Sequence, residues 1–313
     1  MTKQKMAFIF PGQGSQFIGM GKDLYDSFPV AKAVFQQVDE TLHQNLSQLM
    51  FIGDIKELTE TQNAQPAIMT VSVALMRVLE ENGFSLEKSA SFVAGHSLGE
   101  YTALCTTNAL SLSQTASLLK ARGQAMAEAG RTEAGGMMAI LGLEPNLLQK
   151  IADDSGCYVA NDNGAGQWVL SGSLVTLSTA KMRAEEMGAK RVIPLPVAGA
   201  FHSPLMKSAQ EKMAPLLHEI SFQKPSIPVV SNVSAQAEVK NFADLLTRQI
   251  VSPVRWRESI LYMHSCRITC FVECGPGNVL SGLVHRILPN SNQECINDAA
   301  SLLAFLENHE KNT

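Results

Sequence analysis

The chain has 313 residues, of which 45% are hydrophobic and 17% charged, and its formal net charge at pH 7 is −4. This size predicts one large domain or two coupled ones, and the near-neutral charge without a long basic run argues against nucleic acid as a partner. No stretch of about 18 apolar residues is present, so we expect no membrane span; six scattered cysteines without a CxxC pair predict a cytoplasmic protein without a metal or redox site.

The first third of the chain alternates short apolar strands with helices. MAFIF (6–10) reads as a buried strand that ends at the turn sequence PGQG, and helical periodicity covers Asp23 to Leu42 and Pro66 to Asn82. A second strand, SFVAGHS (91–97), runs into a helix at Leu98. Strands that are apolar throughout and alternate with helices predict a parallel α/β sheet covered on both faces.

The middle of the chain has a different order of elements. Strands are predicted at 136–143, 158–161, 167–172 and 190–197, with helices at 145–154 and 174–187. The order βαββαβ is typical of a ferredoxin-like unit. We therefore predict an inserted ferredoxin-like subdomain over residues 131–198, carried by an α/β core made of residues 1–130 and 199–313.

The core pattern resumes after residue 198. A helix is predicted after His202, strands within 226–232 and 269–275, a helix over 241–249, and a C-terminal helix that carries LLAFL. These elements extend the predicted parallel sheet.

The segment Gly95-His96-Ser97-Leu98-Gly99 matches the pattern G-x-S-x-G. This spacing suits a tight strand-to-helix turn that exposes the serine hydroxyl and leaves no room for side chains at the glycines. Because the pattern follows a predicted strand and opens a predicted helix, Ser97 is the candidate nucleophile, and the N–H of Leu98 is a candidate oxyanion donor. A purely structural glycine turn is the alternative.

A serine nucleophile needs a base, and position must choose among the histidines. His202 follows the strand that ends near Val197 and precedes Ser203-Pro204, a pair typical of a helix start. This puts it at the carboxyl edge of the sheet, where α/β proteins build their sites, and a helix N-terminus would keep its ring neutral. A capping or core histidine is the alternative. The histidines set aside lie in or beside helical stretches: His43, His218, His264, His285 and His309.

Arg122 lies on an apolar helix face. Thr115, Leu119, Arg122 and Met126 share that face at helical spacing, which predicts a buried guanidinium. A buried guanidinium requires a partner, and its fork suits a carboxylate. That carboxylate can be an internal Asp or Glu, or it can belong to the substrate.

The glycine-rich loop after the first strand does not have a nucleotide-binding pattern. A dinucleotide fingerprint requires glycine where Phe17 stands, and a phosphate-binding loop requires lysine where Met20 follows Gly19. We therefore predict no cofactor, and interpret Gly12 to Gln16 as backbone N–H groups brought close to a small group.

Taken together, these motifs resemble the malonyl-CoA:acyl-carrier-protein transacylases of bacterial fatty-acid synthesis and the related polyketide acyltransferases. The resemblance covers nearly the whole chain, with the motifs in the same order. It implies a hydrolase-like α/β core interrupted by a ferredoxin-like subdomain. The matching segments are FPGQGSQ (10–16), GHSLGEY (95–101), RGQAM (122–126), NDNGAGQWVLSG (161–172), GAFHSPLM (199–206), RQIVSPVRW (248–256) and ECGPGNVLSGL (273–283).

Roles for individual residues follow from this resemblance. It implies Ser97 as nucleophile and His202 as base, with backbone donors to the oxyanion at Gln13 and Leu98. It implies that Arg122 holds the malonyl carboxylate.

Three further positions are compared with the family. Gln249 matches the position whose main-chain carbonyl orients the histidine in place of an acidic residue. Phe201 is similar to the residue that malonyl-selecting relatives use to crowd an α-methyl group. The loop 163–166 departs from the proline-containing loop of many relatives, which puts its local geometry in doubt.

The implied function is transfer of malonyl from malonyl-CoA to the thiol of acyl carrier protein by a monomer, through an ester on the serine. A serine hydrolase and a non-catalytic carrier-docking module are the alternatives, and polyketide synthesis is an alternative pathway. Acyl carrier proteins are acidic, so docking would require a local basic patch. The candidates are Lys181, Arg183, Lys190, Arg191 and Lys207. A solvated helix face is the alternative.

Overall fold

A computed structural model describes residues 5–164 and 166–310 of the chain. The first part of the chain alternates strands and helices. Its elements are β1 (Met6–Phe10), α1 (Lys22–Ser27), α2 (Pro29–Leu42), α3 (Leu46–Ile52), α4 (Ile55–Thr59), α5 (Thr61–Glu81), α6 (Leu86–Ser89), β2 (Ala90–Gly95), α7 (Gly99–Thr106) and α8 (Leu112–Thr132).

The middle part has the order βαββαβ, and the last part returns to the core. The middle elements are β3 (Gly135–Leu141), α9 (Pro145–Ser155), β4 (Tyr158–Asp162), β5 (Gln167–Ser173), α10 (Leu174–Glu186) and β6 (Arg191–Pro194). A 3-10 helix (Pro204–Met206) precedes α11 (Lys207–His218), β7 (Val229–Val230), β8 (Ala237–Glu238), α12 (Phe242–Gln249), α13 (Trp256–Ser265), β9 (Cys270–Cys274), α14 (Val279–Ile287), β10 (Asn292–Ile296) and α15 (Ala299–Glu310).

The core sheet has six strands within the described residues, in the order β10-β9-β1-β2-β7-β8. Its central pairs are parallel, and the β7–β8 pair at one edge is antiparallel. Alternate side chains of β1 point to opposite faces, as strand geometry requires. Phe8 and Phe10 pack in the larger hydrophobic cluster, whereas Ala7 and Ile9 pack with Trp256 in a second cluster. The predicted parallel sheet with both faces covered is therefore confirmed.

The second sheet, traced over the same part of the chain, has the order β4-β5-β3-β6 with antiparallel pairs throughout. Met138 and Ile140 on β3 face α9 and α10, where they pack against residues such as Leu148. Met137 and Ala139 alternate with them and join the main core instead. This sheet consequently presents one apolar face to its own helices and the other to the rest of the molecule.

Two helix boundaries near the N-terminus differ from the sequence prediction. The periodicity over 23–42 belongs to two helices, because Phe28 is extended with φ −126° and ψ 115° ahead of Pro29. The helix predicted from Pro66 begins at Thr61, and Pro66 lies inside it. A proline that has helical φ removes one hydrogen bond, and the burial of neighbours such as Ala64 and Ala67 stabilises the helix around it.

Later boundaries differ as well. Ser203-Pro204 opens a 3-10 turn ahead of α11, and the Ser203 hydroxyl donates to the carbonyl of Ala200 over 2.6 Å and does not cap the helix. The strand predicted within 226–232 is reduced to β7, since only a short segment lies against β2. Among the described residues, no helix combines the length and apolar character that crossing a bilayer requires.

Candidate active site

The turn between β2 and α7 holds Ser97 at the carboxyl end of the core sheet. A Cβ on Gly95 would lie 1.9 Å from the carbonyl carbon and oxygen of Gly99, and a Cβ on Gly99 would lie 2.3 Å from the carbonyl oxygen of Phe10. Both positions therefore require glycine, as the G-x-S-x-G spacing predicts. Ser97 itself has φ 53°, the left-handed conformation expected of such a turn.

Ser97 and His202 are brought together although they are far apart in sequence. Their Oγ and Nε2 atoms are 2.8 Å apart. The other ring nitrogen, Nδ1, lies 2.9 Å from the main-chain carbonyl oxygen of Gln249 and donates to it when protonated. This tautomer leaves Nε2 free to accept the serine proton. The geometry is that of a nucleophile, a base and a neutral group that orients the base.

The environment keeps the His202 ring neutral. Burial and, to a smaller extent, the charge of Arg122 lower the pKa of His202 to about 3, against the opposing effect of the hydrogen bond to Gln249. Burial is thus the main cause, whereas the sequence argument relied on a helix N-terminus. A neutral imidazole is the form that a general base requires.

Arg122 is buried, with 1% of its surface exposed, as the helical face predicted. Its Nη1 donates to Gln65 Oε1 over 2.7 Å, and its Nη2 donates to Gln249 Oε1 over 2.9 Å and to Ser97 Oγ over 3.0 Å. Its Nε has no hydrogen-bond partner among the described residues. The hydrogen-bond acceptors found for this guanidinium are neutral, so the internal carboxylate partner that the sequence left open is not in contact with it.

The candidate oxyanion donors lie in the wall of the cavity that contains the nucleophile. Gln13 and Leu98 both line the cavity above Ser97. Their segments touch, because a Cβ on Gly12 would lie 2.7 Å from the carbonyl oxygen of His96. Backbone N–H groups in this position can stabilise a negative oxygen that develops next to the serine.

Ser97 opens into a cavity of about 270 Å³ between the two sheets. Phe201 lies in its wall and is 5% exposed. Apolar side chains from β3, β5 and the segment after β6 also line the wall, so the cavity suits a short acyl group close to one cation. They are Met137, Ala139, Val169, Leu195 and Val197.

Four of the buried polar residues that sequence reasoning missed make contacts within the site. His96 Nε2 lies 3.0 Å from Asn163 Oδ1, and burial lowers the pKa of His96 to about 4. Its position beside the nucleophile was the available signal. The other three, Gln65, Glu100 and Asn232, hold Arg122, Gln249 and the elbow through contacts that no local spacing indicates.

The basic residues proposed for carrier docking are at the surface, and three of them form ion pairs. Lys181 pairs with Glu185, Arg183 with Asp154 and Lys207 with Glu211. Lys190 and Arg191 are exposed at the start of the edge strand β6. The loop 163–166 includes Ala165, which lies outside the described residues. Across residues 5–164 and 166–310, no cluster of His, Cys, Asp and Glu has the arrangement of a metal site.

Comparison with known proteins agrees with this arrangement. Residues 7–309 match the family described as acyl transferase domain. The chain is 46% identical over 290 residues to the malonyl CoA-acyl carrier protein transacylase of Bacillus subtilis, which covers 90% of each protein.

Two solved structures extend the comparison. The acyl-carrier-protein-S-malonyltransferase of Bartonella henselae is 42% identical with a TM-score of 0.94, over 97% of this chain and 99% of that one. A malonyl-transacylase solved in complex with a type II PKS acyl-carrier protein is 37% identical with a TM-score of 0.93, over 97% of this chain and 100% of that one. The chain therefore belongs to the acyl transferase family, which confirms the resemblance inferred from its motifs, and it is an acyltransferase.

Proposed function

We propose that this member of the acyl transferase family transfers malonyl from malonyl-CoA to the phosphopantetheine thiol of acyl carrier protein, through an ester on Ser97. The observation that carries the substrate assignment is Arg122. The Arg122 guanidinium is buried, donates its hydrogen bonds to neutral groups, and lies 3.0 Å from Ser97 Oγ. A buried cation of this kind is a site for an anion. A malonyl group has a carboxylate one carbon away from its reacting carbonyl, which suits that distance.

The first half-reaction forms the ester. Ser97 Oγ attacks the carbonyl carbon of the thioester, and its proton passes to Nε2 of His202, 2.8 Å away. The intermediate collapses by breaking the C–S bond, and the imidazolium returns the proton to the coenzyme A thiolate. The Gln249 carbonyl stabilises the ring while it is charged, in the position that a carboxylate has in a triad.

The second half-reaction reverses these steps with a different thiol. The carrier thiol gives its proton to His202 and attacks the ester carbonyl, and the C–O bond to Ser97 breaks as the hydroxyl is restored. Gln13 and Leu98 would donate their backbone N–H groups to the oxyanion in both halves. Their location in the cavity wall supports this assignment.

Arg122 also distinguishes this function from a serine hydrolase. Its fork can make two charge-assisted hydrogen bonds to a carboxylate, which are stronger than neutral ones. A hydrolase of neutral esters gains nothing from a buried cation in the acyl pocket, since neutral acyl groups leave it unpaired. Phe201, in the wall of the same cavity, would crowd an α-methyl group and so favour malonyl over methylmalonyl.

The relatives support the proposed partner and pathway. The Bacillus subtilis relative is named for malonyl CoA and acyl carrier protein, which supports both as substrates here and fatty-acid synthesis as the pathway. The likeness to a malonyl-transacylase complexed with a type II PKS acyl-carrier protein keeps polyketide synthesis as a second possibility. The cytoplasmic location and monomeric state stay predictions.

We also assign residues 131–198 as a ferredoxin-like subdomain. Its βαββαβ order and antiparallel sheet support this. The chain enters and leaves the unit at one point, because a Cβ on Gly130 would lie 1.9 Å from the carbonyl oxygen of Ala198.

The test of the proposed function is intact-protein mass after incubation with malonyl-CoA alone. We expect one added malonyl mass, located at Ser97 by peptide mapping and discharged by carrier protein. The Ser97→Ala variant should take up none. Label at another residue would exclude the mechanism, and release of free malonate without any acceptor would identify a hydrolase.

A further inference from the structure

Glu100 is a buried carboxylate beside the site that the proposed mechanism does not use. It lies in the first turn of α7 and has 0% of its surface exposed. Its Oε2 accepts hydrogen bonds from Gln249 Nε2 over 2.7 Å and from the backbone N–H of Asn232 over 3.1 Å. Its Oε1 has no partner among the described residues. Burying a carboxylate with so few donors is costly, so its presence calls for an explanation.

The contacts of Gln249 fix which way its side-chain amide points. The Nε2 donates to Glu100 and to the carbonyl oxygen of Ser97, 3.0 Å away, whereas Oε1 accepts from Arg122 Nη2 over 2.9 Å. A flipped amide would direct its NH2 at a guanidinium and its oxygen at two oxygens. Each of those contacts is repulsive, so Glu100 and Ser97 select one orientation.

The amide also separates two opposite charges. Glu100 attracts Arg122 electrostatically, yet Gln249 stands between them. In direct contact, Glu100 would fill the anion position on the guanidinium. Because the Gln249 amide separates the two groups, Glu100 stabilises the charge of Arg122 and leaves the guanidinium available to a ligand.

We infer that Glu100 is a positioning residue for acyl selection: through the Gln249 side chain it holds the Arg122 guanidinium in place for the substrate carboxylate. This inference rests on the proposed function, and it adds a residue that does not touch the substrate. Burial raises the pKa of Glu100 to about 7, against the opposing effect of its hydrogen bond to Gln249. The carboxylate is therefore held at an energetic cost that a simple packing role would not require.

A purely structural role of Glu100 would affect the acyl substrates differently from a role in positioning Arg122. Glu100 also fixes Asn232, whose Oδ1 accepts from the Ser97 N–H over 2.8 Å and whose Nδ2 donates to the Gly95 carbonyl over 2.7 Å. If support of the elbow is its whole role, losing Glu100 slows every acyl group equally. If it positions Arg122, malonyl transfer suffers more than acetyl transfer.

The test compares Glu100→Met, Glu100→Gln and Gln249→Met for malonyl-CoA and acetyl-CoA. Glu100→Met should raise the KM for malonyl-CoA and lower its kcat/KM at least about tenfold more than that for acetyl-CoA. Glu100→Gln keeps an acceptor oxygen and should restore most of the preference. Because the two residues act in series, the Glu100→Met/Gln249→Met double variant should lose no more selectivity than either single one.

The matched control is Glu273→Gln, which removes the charge of another fully buried carboxylate, one that accepts from the N–H groups of Leu280 and Ser281. Its malonyl-to-acetyl ratio should equal that of the parent. Equal losses for both acyl groups in Glu100→Met, or additive losses in the double variant, would overturn the inference. If Glu100→Met does not fold, an unchanged ratio in Gln249→Met overturns it. Failure of the proposed function is separate, since it appears in the parent as absent Ser97 labelling.

Discussion

Ser97 and His202, whose side chains meet at 2.8 Å, both have a left-handed backbone, with φ of 53° and 57°. This conformation costs a residue with a Cβ about 1 kcal/mol or more relative to glycine. The cost is met by the surrounding structure, in which Asn232 bonds the elbow and Gln249 bonds the His202 ring. The two side chains therefore meet at turns that the fold imposes against local preference.

This strain predicts the order of stability of two inactive variants. Ser97→Gly and Ser97→Ala both lose the hydroxyl and its bonds, but only glycine relaxes at positive φ. Ser97→Gly should be more stable than Ser97→Ala by about 1 kcal/mol, measured by urea unfolding. Within helix α8 the order should reverse, so Ser113→Gly should be less stable than Ser113→Ala. The same order at both positions would show that residue 97 is not strained.

The low pKa of His202 predicts the pH dependence of acylation. For an ordinary imidazole, with a pKa near 6.5, the neutral fraction would fall about thirtyfold between pH 7.5 and pH 5. With its pKa lowered to about 3, His202 stays neutral over this range. The single-turnover rate of Ser97 labelling by malonyl-CoA should therefore stay nearly constant, as rapid-quench measurements can test. Burial also raises the pKa of Glu100 to about 7, so an inflection near pH 6.5 contradicts the prediction only if it persists in Glu100→Gln.

The lowered pKa of His202 also makes the free energy of unfolding depend on pH. The unfolded chain protonates His202 near its ordinary pKa, whereas the folded protein does so near pH 3, so acid favours unfolding below about pH 6.5. The stability of the parent relative to His202→Asn should fall as pH decreases from 7 to 5. Denaturant unfolding at several pH values measures this difference, and a constant difference would contradict it.

The sequence predicted the parts of the site that local patterns encode. Ser97 lies in a spaced glycine motif, His202 follows a strand, and Arg122 interrupts an apolar helix face. His96 was missed because the G-x-S-x-G motif specifies Ser97 and the glycines and leaves position 96 unspecified. Glu100 was missed because its role depends on Gln249 and Asn232, which are distant in sequence and meet it only after folding.

The fold, like the site, was predictable where the local sequence pattern encodes it. Fully buried, mostly apolar strands such as β1 and β9 were identified, whereas the edge strand β10 was not, because its sequence NQECI is mostly polar and partly exposed. Pairing with β9 makes it a strand, and that contact is not visible in its composition. The break at Phe28 was hidden by helical periodicity on both sides.

Phe201 predicts selectivity at the α-carbon. Its ring lines the acyl cavity, and one extra methyl group in a filled pocket is worth about 1–3 kcal/mol. Phe201→Ser should therefore raise kcat/KM for methylmalonyl-CoA relative to malonyl-CoA. Phe201→Leu keeps most of the apolar bulk and should change the ratio less. An unchanged ratio in the serine variant would show that the ring does not contact the α-substituent.

Lys190 and Arg191 predict the salt dependence of carrier binding. They are exposed, and reversing both to glutamate should raise the KM for carrier protein but not for malonyl-CoA, most strongly at low salt. The matched control reverses Lys88 and Arg267, which are exposed two and three residues before β2 and β9, at the end of the sheet opposite the elbow. Equal effects on both substrates, or equal effects in the control, would exclude this patch from docking.

Arg122 gives the sharpest separation between a malonyl transferase and a general serine esterase. Malonyl and acetyl thioesters share the reacting carbonyl and differ by a carboxylate. A neutral pocket would favour acetyl, because a carboxylate taken from water without a partner is costly. In the proposed function the guanidinium would reverse this preference and, at 3.0 Å from Ser97 Oγ, would also hold the carbonyl close to the nucleophile. Its loss should therefore lower turnover as well as binding.

We expect Arg122→Ala to lower kcat/KM for malonyl-CoA at least about a hundredfold, near 3 kcal/mol, while acetyl transfer stays equal or rises. Arg122→Lys keeps the charge without the fork and should restore part of the loss. Arg77→Ala, which removes an arginine paired with Glu80 at the surface, should change neither substrate. Thermal melts establish that each variant is folded. A folded Arg122→Ala that keeps the original preference for malonyl-CoA would make Arg122 a structural residue and remove the main physical support for the substrate.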